Sequence, residues 1–216
     1  MTRKWAARGP AALVTATALI AVSGCAPAQE RASPDASATT AQGGRAAVPV
    51  RPAQRASSQV VPEPPQTVRL PGGTTVRVRA VGTRRDGRLA VPRDVRTAGW
   101  WRGGSRVGDP FGAVLVAGHV DSRTQGLGAY AELLTVRRGE EVVVGTASLR
   151  QRYRIRSLLL VPQSQLAARS SLHSPRGPQR LVLVTCAPPY DVARGGYQHL
   201  AVVTAYPVGR PARRSR

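Results

Sequence analysis

Thr75–Val81 reads "TVRVRAV", and its alternation puts Val76 and Val78, with Ala80 in the same period, on one face and Arg77 and Arg79 on the other. A period of two, with one apolar and one charged face, is the pattern of a half-buried strand. On either side the same grammar recurs, as short Val/Leu-rich runs separated by Gly, Pro and Asp. The stretch "TVRLPGG" starts it at Thr67, and it continues through "LAVP" (89–92), "AVLVAGHV" (113–120), "EEVVVG" (140–145), "YRIRSLLLV" (153–161), "RLVLVTC" (180–186) and "LAVVTAYPV" (200–208). Only "VPQSQLAARSSL" (161–172) leaves room for a short helix or turn. About eight short strands with hardly any helix predict an all-β chain folded as a closed or nearly closed β-barrel. No internal repeat is present.

Upstream of Thr67 the composition changes. Residues 26 to 65 are mostly Ala, Pro, Ser, Gln and Arg, with almost no large apolar groups to bury, and such a segment is read as a disordered tether. Before it, Arg3, Lys4 and Arg8 precede an apolar stretch from Ala11 to Val22, the arrangement of an export signal. That stretch is shorter than the roughly 20 apolar residues a membrane span needs. Val22-Ser23-Gly24-Cys25 resembles a bacterial lipobox, which implies cleavage before Cys25 and a diacylglycerol on its thiol. A plain signal peptide, or an uncleaved anchor with a coincidental cysteine, is the alternative. The expected division is a lipoprotein-type signal peptide at 1–24, a tether at 25–65, one folded domain at 66–208 and a basic tail at 209–216. The expected location is the outer face of the cell membrane, held by the lipid on Cys25.

The formal charge is +21, from 32 basic against 11 acidic residues, and Lys4 is the only lysine. So large a positive charge invites a nucleic-acid reading. An exported chain seldom meets nucleic acid, however, and the arginines are spread along the domain except in the tail at Arg210, Arg213, Arg214 and Arg216. Anionic wall polymers or lipid head groups are better partners, and a merely solvated basic surface is an equal alternative.

Two strand runs end in reactive residues. "GAVLVAGHVDS" closes on Gly118-His119, and "RLVLVTC" closes on Thr185-Cys186 where a proline pair follows. The chain has only two cysteines, so a lipidated Cys25 leaves Cys186 without a disulfide partner on a chain exported to where paired cysteines are the rule. If the two strands share a sheet rim, imidazole and thiol face each other, and a nearby cation lowers a thiol pKa or steadies the thiolate. Arg194, in "YDVARGGYQHL", would supply a cation for an oxyanion. The plainer readings are a buried, inert Cys186 and a core His119 making one hydrogen bond. His173 and His199 are assigned to surface or loop positions, and Trp100 and Trp101 to barrel packing. Asp121 either orients His119 or caps a turn. No two of the three histidines and the thiol have metal-motif spacing, so neither metal nor cofactor is expected.

At these residues the chain resembles the class F sortases of actinobacteria, from about Thr67 to Val208. The carriers are "LAVPRDVRTAGWWRGGSRVGDPFGAVLVAGHVDS", "GLGAYAELLTVRRGEEVVV" and "RLVLVTCAPPYDVARGGYQHLAVVTAYP". The resemblance implies a sortase β-barrel and a cysteine transpeptidase of a Gram-positive cell envelope. Such an enzyme cleaves a Leu-Pro-x-Thr-Gly-like sorting signal on secreted proteins, holds the acyl group as a thioester, and passes it to an amine of peptidoglycan or another surface protein. It implies Cys186 as nucleophile, His119 as general acid/base and Arg194 as the arginine. The chain departs from the family pattern at Ala187-Pro188-Pro189 and at His199-Leu200, which bear on peptide preference. Two rivals stand beside this reading: a sortase-like surface binding module whose activity has decayed, and a thiol hydrolase of the same layout.

Overall fold

The computed structural model describes residues 60–165 and 168–214. Cys25, the expected signal peptide and most of the expected tether lie outside them.

The chain's plainest amphipathic pattern builds its longest strand. In β8 (Leu149–Pro162), Leu149, Gln151, Tyr153 and Ile155 are buried while Arg150, Arg152, Arg154 and Arg156 are exposed. Each inward residue therefore has an arginine beside it facing water, as the two-residue period requires. The other strands are β1 (Thr67–Arg69), β2 (Thr75–Val81), β3 (Thr97–Trp101), β4 (Ala113–Ala117), β5 (Asp121–Ser122), β6 (Gly126–Leu127), β7 (Glu141–Gly145), β9 (Arg180–Asp191), β10 (Gly196–Pro207) and β11 (Ala212–Arg213).

Eight of them close a barrel in the order β10-β9-β4-β3-β2-β1-β7-β8, with β8 pairing back onto β10. The pairs β2–β3 and β4–β9 are parallel and the others antiparallel. Closure removes the exposed edges that an open sheet leaves. The expected all-β barrel of about eight strands is therefore what forms. Its last three strands are longer than the sequence runs suggested, and "LAVP" contributes only an isolated bridge between Leu89 and Thr83.

Val68, Val76, Val114, Tyr153, Leu181, Leu183 and Val203 fill the interior. Each such side chain contributes roughly 1.5–3 kcal/mol by leaving water. A single 3-10 segment, Ala129–Leu134, plugs the barrel with Tyr130 and Leu133. A smaller apolar cluster lies on the other side of the sheet, where Val161, Val182 and Val202 pack with Leu115, Leu172, Val184 and Leu200. Leu172 arrives from the connection after β8, whose described residues include the short 3-10 turns Gln163–Gln165 and Ser170–Leu172. The buried Arg180 guanidinium fastens that connection by donating to the carbonyls of Ser171, Ser174, Arg176 and Pro178.

Both expected boundaries carry ordered contacts beyond them. Glu63 pairs with Val107 and accepts from the Thr146 and Ser148 hydroxyls and from the Ser148 amide, at 2.9 Å for the amide. These bonds hold its carboxyl down at about 2. At the other end β11, inside the basic tail, pairs with β8, and Arg214 donates to the Thr146 carbonyl at 2.9 Å.

Candidate functional site

The parallel β4–β9 pair sets the site. Its register runs Leu115↔Val182 and Ala117↔Val184, and the Gly118 amide continues it by donating to the Val184 carbonyl at 3.0 Å. Residues facing each other across a ladder point to the same side of a sheet. Leu115, Val182 and Val184 all pack in the outer cluster. Carried two residues further, the same register leads to His119, just past the end of β4, and to Cys186 within β9. On the opposite flank Leu200 of β10 faces Cys186. Both His119 and Cys186 are half-buried, and Cys186 is a free thiol.

The main chain at His119 is confined from two directions. A Cβ on Gly118 would stand 2.7 Å from the Tyr130 ring, and one on Gly128 would stand 2.5 Å from the His119 carbonyl oxygen. Only glycine permits these approaches, because no real Cβ sits so close to another heavy atom. The 3-10 plug, through Tyr130, therefore fixes the strand end that carries the imidazole.

The proline pair after Cys186 does not end the strand, and β9 continues through Ala187-Pro188-Pro189 to Asp191. Tyr190 faces Tyr197 and Ala187 faces His199, so Pro188 and Pro189 lie opposite the single residue Gln198 at a register shift. A bulge is where a strand tolerates residues that cannot donate to the ladder. His199 is accordingly a half-buried strand residue and not a loop residue, and its Nδ1 is buried without a hydrogen-bond partner. His173 is exposed, as expected, and its ring meets Trp101 edge-on at 5.7 Å. Trp100 is buried in the barrel core, whereas Trp101 is half-buried and its indole donates to Thr83 at 3.0 Å.

Among the described residues no hydrogen bond joins Asp121 to a turn amide or to the imidazole; its Oδ2 accepts from the Tyr197 hydroxyl at 2.7 Å. That bond pushes the Tyr197 phenol up to about 12. Tyr197 also meets the Tyr190 ring edge-on, with centroids 4.9 Å apart. Asp121 bears on the Cys186 thiol as well. Burial pushes the Cys186 thiol above its ordinary value, and the Asp121 charge pushes it further in the same direction. A thiol so placed is protonated at neutral pH. Tyr197 went unnoticed in the sequence, because its partner lies on a different strand and nothing in local spacing joins them.

Arg194 occupies the 3-10 turn Val192–Arg194 between β9 and β10. Its Nε lies 3.2 Å from Asp191 Oδ2, and its side chain is 76% exposed. The guanidinium is thus engaged by a neighbour three residues back, and Asp121 is the charged group that acts on the thiol.

A Sortase domain model matches residues 73–208. No curated protein matches the sequence. Solved structures do match in fold. The SrtA sortase from Actinomyces oris superposes with a TM-score of 0.53 at 20% identity, covering 73% of this chain and 88% of its own. Sortase E1 from Streptomyces coelicolor, solved with a tripeptide in its active site, gives 0.51 at 17% identity, covering 69% and 91%. Sortase A of Listeria monocytogenes gives 0.50 at 15% identity, covering 69% and 90%. At these identities the likeness is one of fold.

Proposed function

The chain belongs to the sortase family, and we propose that within it this protein is a cysteine transpeptidase of class F type, working through Cys186 and His119. The Cys186 sulfur attacks the Thr carbonyl of a Leu-Pro-x-Thr-Gly-like signal while His119 takes the thiol proton. The C–S bond forms, the Thr–Gly amide breaks, and His119 returns the proton to the departing glycine nitrogen. An amine then attacks the thioester, a new amide forms, the C–S bond breaks, and the proton passes through His119 back to the thiol. Arg194 would leave Asp191 to meet the oxyanion once peptide fills the rim.

One observation carries this reading: the parallel β4–β9 register, whose continuation leads to both His119 and Cys186. The raised thiol pKa fits a nucleophile that is activated only when its base and substrate are both present. The test is incubation of the purified protein with sorting-signal peptides, with and without candidate amines, followed by mass spectrometry. A new peptide–amine product that Cys186→Ala and His119→Ala both lose is the expected result. Cleavage without transfer to any amine favours the thiol hydrolase, and an inert but folded protein favours the decayed binding module.

The lipid anchor belongs to the same proposal. The fit of Val22-Ser23-Gly24-Cys25 supports a diacylated Cys25, two acyl chains being enough for stable membrane attachment. A tether of the expected length would place the barrel some tens of ångströms from the bilayer, where confinement raises its effective concentration toward membrane-held substrates. Mass spectrometry of the mature N-terminus decides it, and an unmodified Cys25 sinks it.

A further inference from the structure

We propose that an arginine-lined cleft between β1, β7, β8 and β11 is a second binding site, which takes a linear phosphate-bearing polyanion. Arg69, Arg150, Arg213 and Arg214 converge there with the Thr67 and Thr75 hydroxyls around a volume of about 500 Å³. The cleft lies across the molecule from the thiol. Going round the closed barrel, β1 is four strands from β9 in either direction.

The strand register explains the convergence. Arg69 faces Val143 across β1–β7, and Arg150 faces both Gly145 on β7 and Ala212 on β11, so outward positions of four strands open into one hollow. Gly145 forms its floor: a Cβ there would come 2.5 Å from Thr67 Oγ1 and 3.8 Å from an Arg214 guanidinium nitrogen. The tail arginines are held in place. Arg213 lies in β11, and Arg214 is fixed by its side-chain bond to the Thr146 carbonyl and by its amide bond to the Ser148 carbonyl at 2.8 Å. A ligand therefore meets at least the Arg214 cation already ordered, which lowers the entropic cost of binding.

Among the described residues none of these four arginines enters an ion pair. On this face Glu141 takes Arg152 and Arg154. The one carboxylate acting on the cleft, Glu63 near Arg213, is turned onto Thr146 and Ser148. The hollow is left with a surplus of planar guanidinium forks, which match phosphate oxygens two at a time. Its shape and lining argue against a lipid surface. It is a cleft walled by β11 and not a plane, and the exposed large apolar side chains that would enter a bilayer, Phe111, Leu127, Leu160 and Val192 among them, lie outside it.

The test measures binding of labelled short-chain inorganic polyphosphate to the full chain by fluorescence anisotropy. Arg69→Gln/Arg150→Gln is compared with Arg84→Gln/Arg85→Gln, which removes the same net charge from an exposed turn outside the cleft. Two lost charged contacts should weaken binding by about tenfold or more, whereas the turn pair should change it by less than about twofold through screened long-range attraction alone. Arg213→Gln, which leaves the barrel strands untouched, should move affinity in the same direction as the first pair. Thiol alkylation and peptide turnover should stay at wild-type rates in all three. Equal losses in both pairs would reduce the cleft to diffuse attraction by a basic chain, and no loss in Arg69→Gln/Arg150→Gln would remove it altogether. Equal affinity for polyglutamate would overturn the choice of phosphate. Tighter binding to phosphatidylglycerol vesicles than to polyphosphate would overturn the choice of a polymer.

Discussion

The Tyr197 hydroxyl donates to Asp121 Oδ2 at 2.7 Å, joining the segment just beyond His119 to the strand that flanks Cys186. Asp121 is exposed, so this bond is what keeps its carboxylate directed at the rim. The charge acts on the thiol in the direction opposite to activation. The Cys186 thiol thus rests protonated at neutral pH.

Asp121→Asn should therefore make the free thiol more reactive. Thiolate is the attacking form, and its fraction grows as pH rises through a value that burial and Asp121 both push up. Removing the charge lowers that value, so the alkaline inflection of alkylation by iodoacetamide should move to lower pH and the rate at pH 7 should rise. Burial is the larger cause and remains, so the shift is partial. An unchanged inflection would show that the carboxylate does not reach the sulfur.

Tyr197→Phe should act in the same sense but more weakly. Its loss frees Asp121 to turn toward water without removing the charge. The pH dependence of alkylation again reads it out, and a larger shift than that of Asp121→Asn would assign the phenol a role of its own.

Arg194→Ala tests the oxyanion role against the ion pair seen with Asp191. If the guanidinium meets the oxyanion, turnover should fall about 100- to 1,000-fold, roughly 2.7–4 kcal/mol, with a smaller change in peptide affinity. Turnover within a few fold of wild type would leave Arg194 as a surface partner of Asp191.

Gly128→Ala should lower turnover by displacing the main chain of His119, whose carbonyl oxygen leaves no room for the added methyl. The thiol is not on that segment, so its intrinsic alkylation in the absence of peptide should change less than turnover does. Equal loss of both would indicate a general disturbance of the rim.

Glu63 contributes to the acid limb of stability, beside Asp94 and Glu141, whose carboxyls are also held low by their hydrogen bonds. Its folded value of about 2 lies below the ordinary value near 4.3 for an unfolded glutamate. It therefore contributes stability that is fully present above the unfolded value and is lost as pH falls toward 2. Glu63→Gln should lower Tm at pH 7, and the gap from wild type should narrow as pH falls from about 4.3 to 2. A gap constant across that window would assign the effect to lost hydrogen-bond geometry and not to charge.

The strands were legible because barrel strands carry their instruction locally. Alternation from Leu149 to Arg156, or in "TVRVRAV", states which side faces the core whatever the partner strand. His119 and Cys186 drew notice for a related reason, since each ends an apolar run, although β9 itself continues past Cys186 to Asp191. The sequence alone thus determined an all-β barrel and singled out two residues that end apolar runs. Only the tertiary structure decided which strands became neighbours, and with them the parallel β4–β9 register that leads to His119 and Cys186, the Tyr197–Asp121 bond, and the meeting of Arg69 and Arg150 with the tail arginines. Each is a pairing between segments far apart in the chain, selected by barrel closure and the burial of all strands at once, and local residue patterns do not encode such a choice. Arg194 shows the same limit from the other side: its position after the cysteine was readable, but its contact with Asp191 depends on how the β9–β10 hairpin closes.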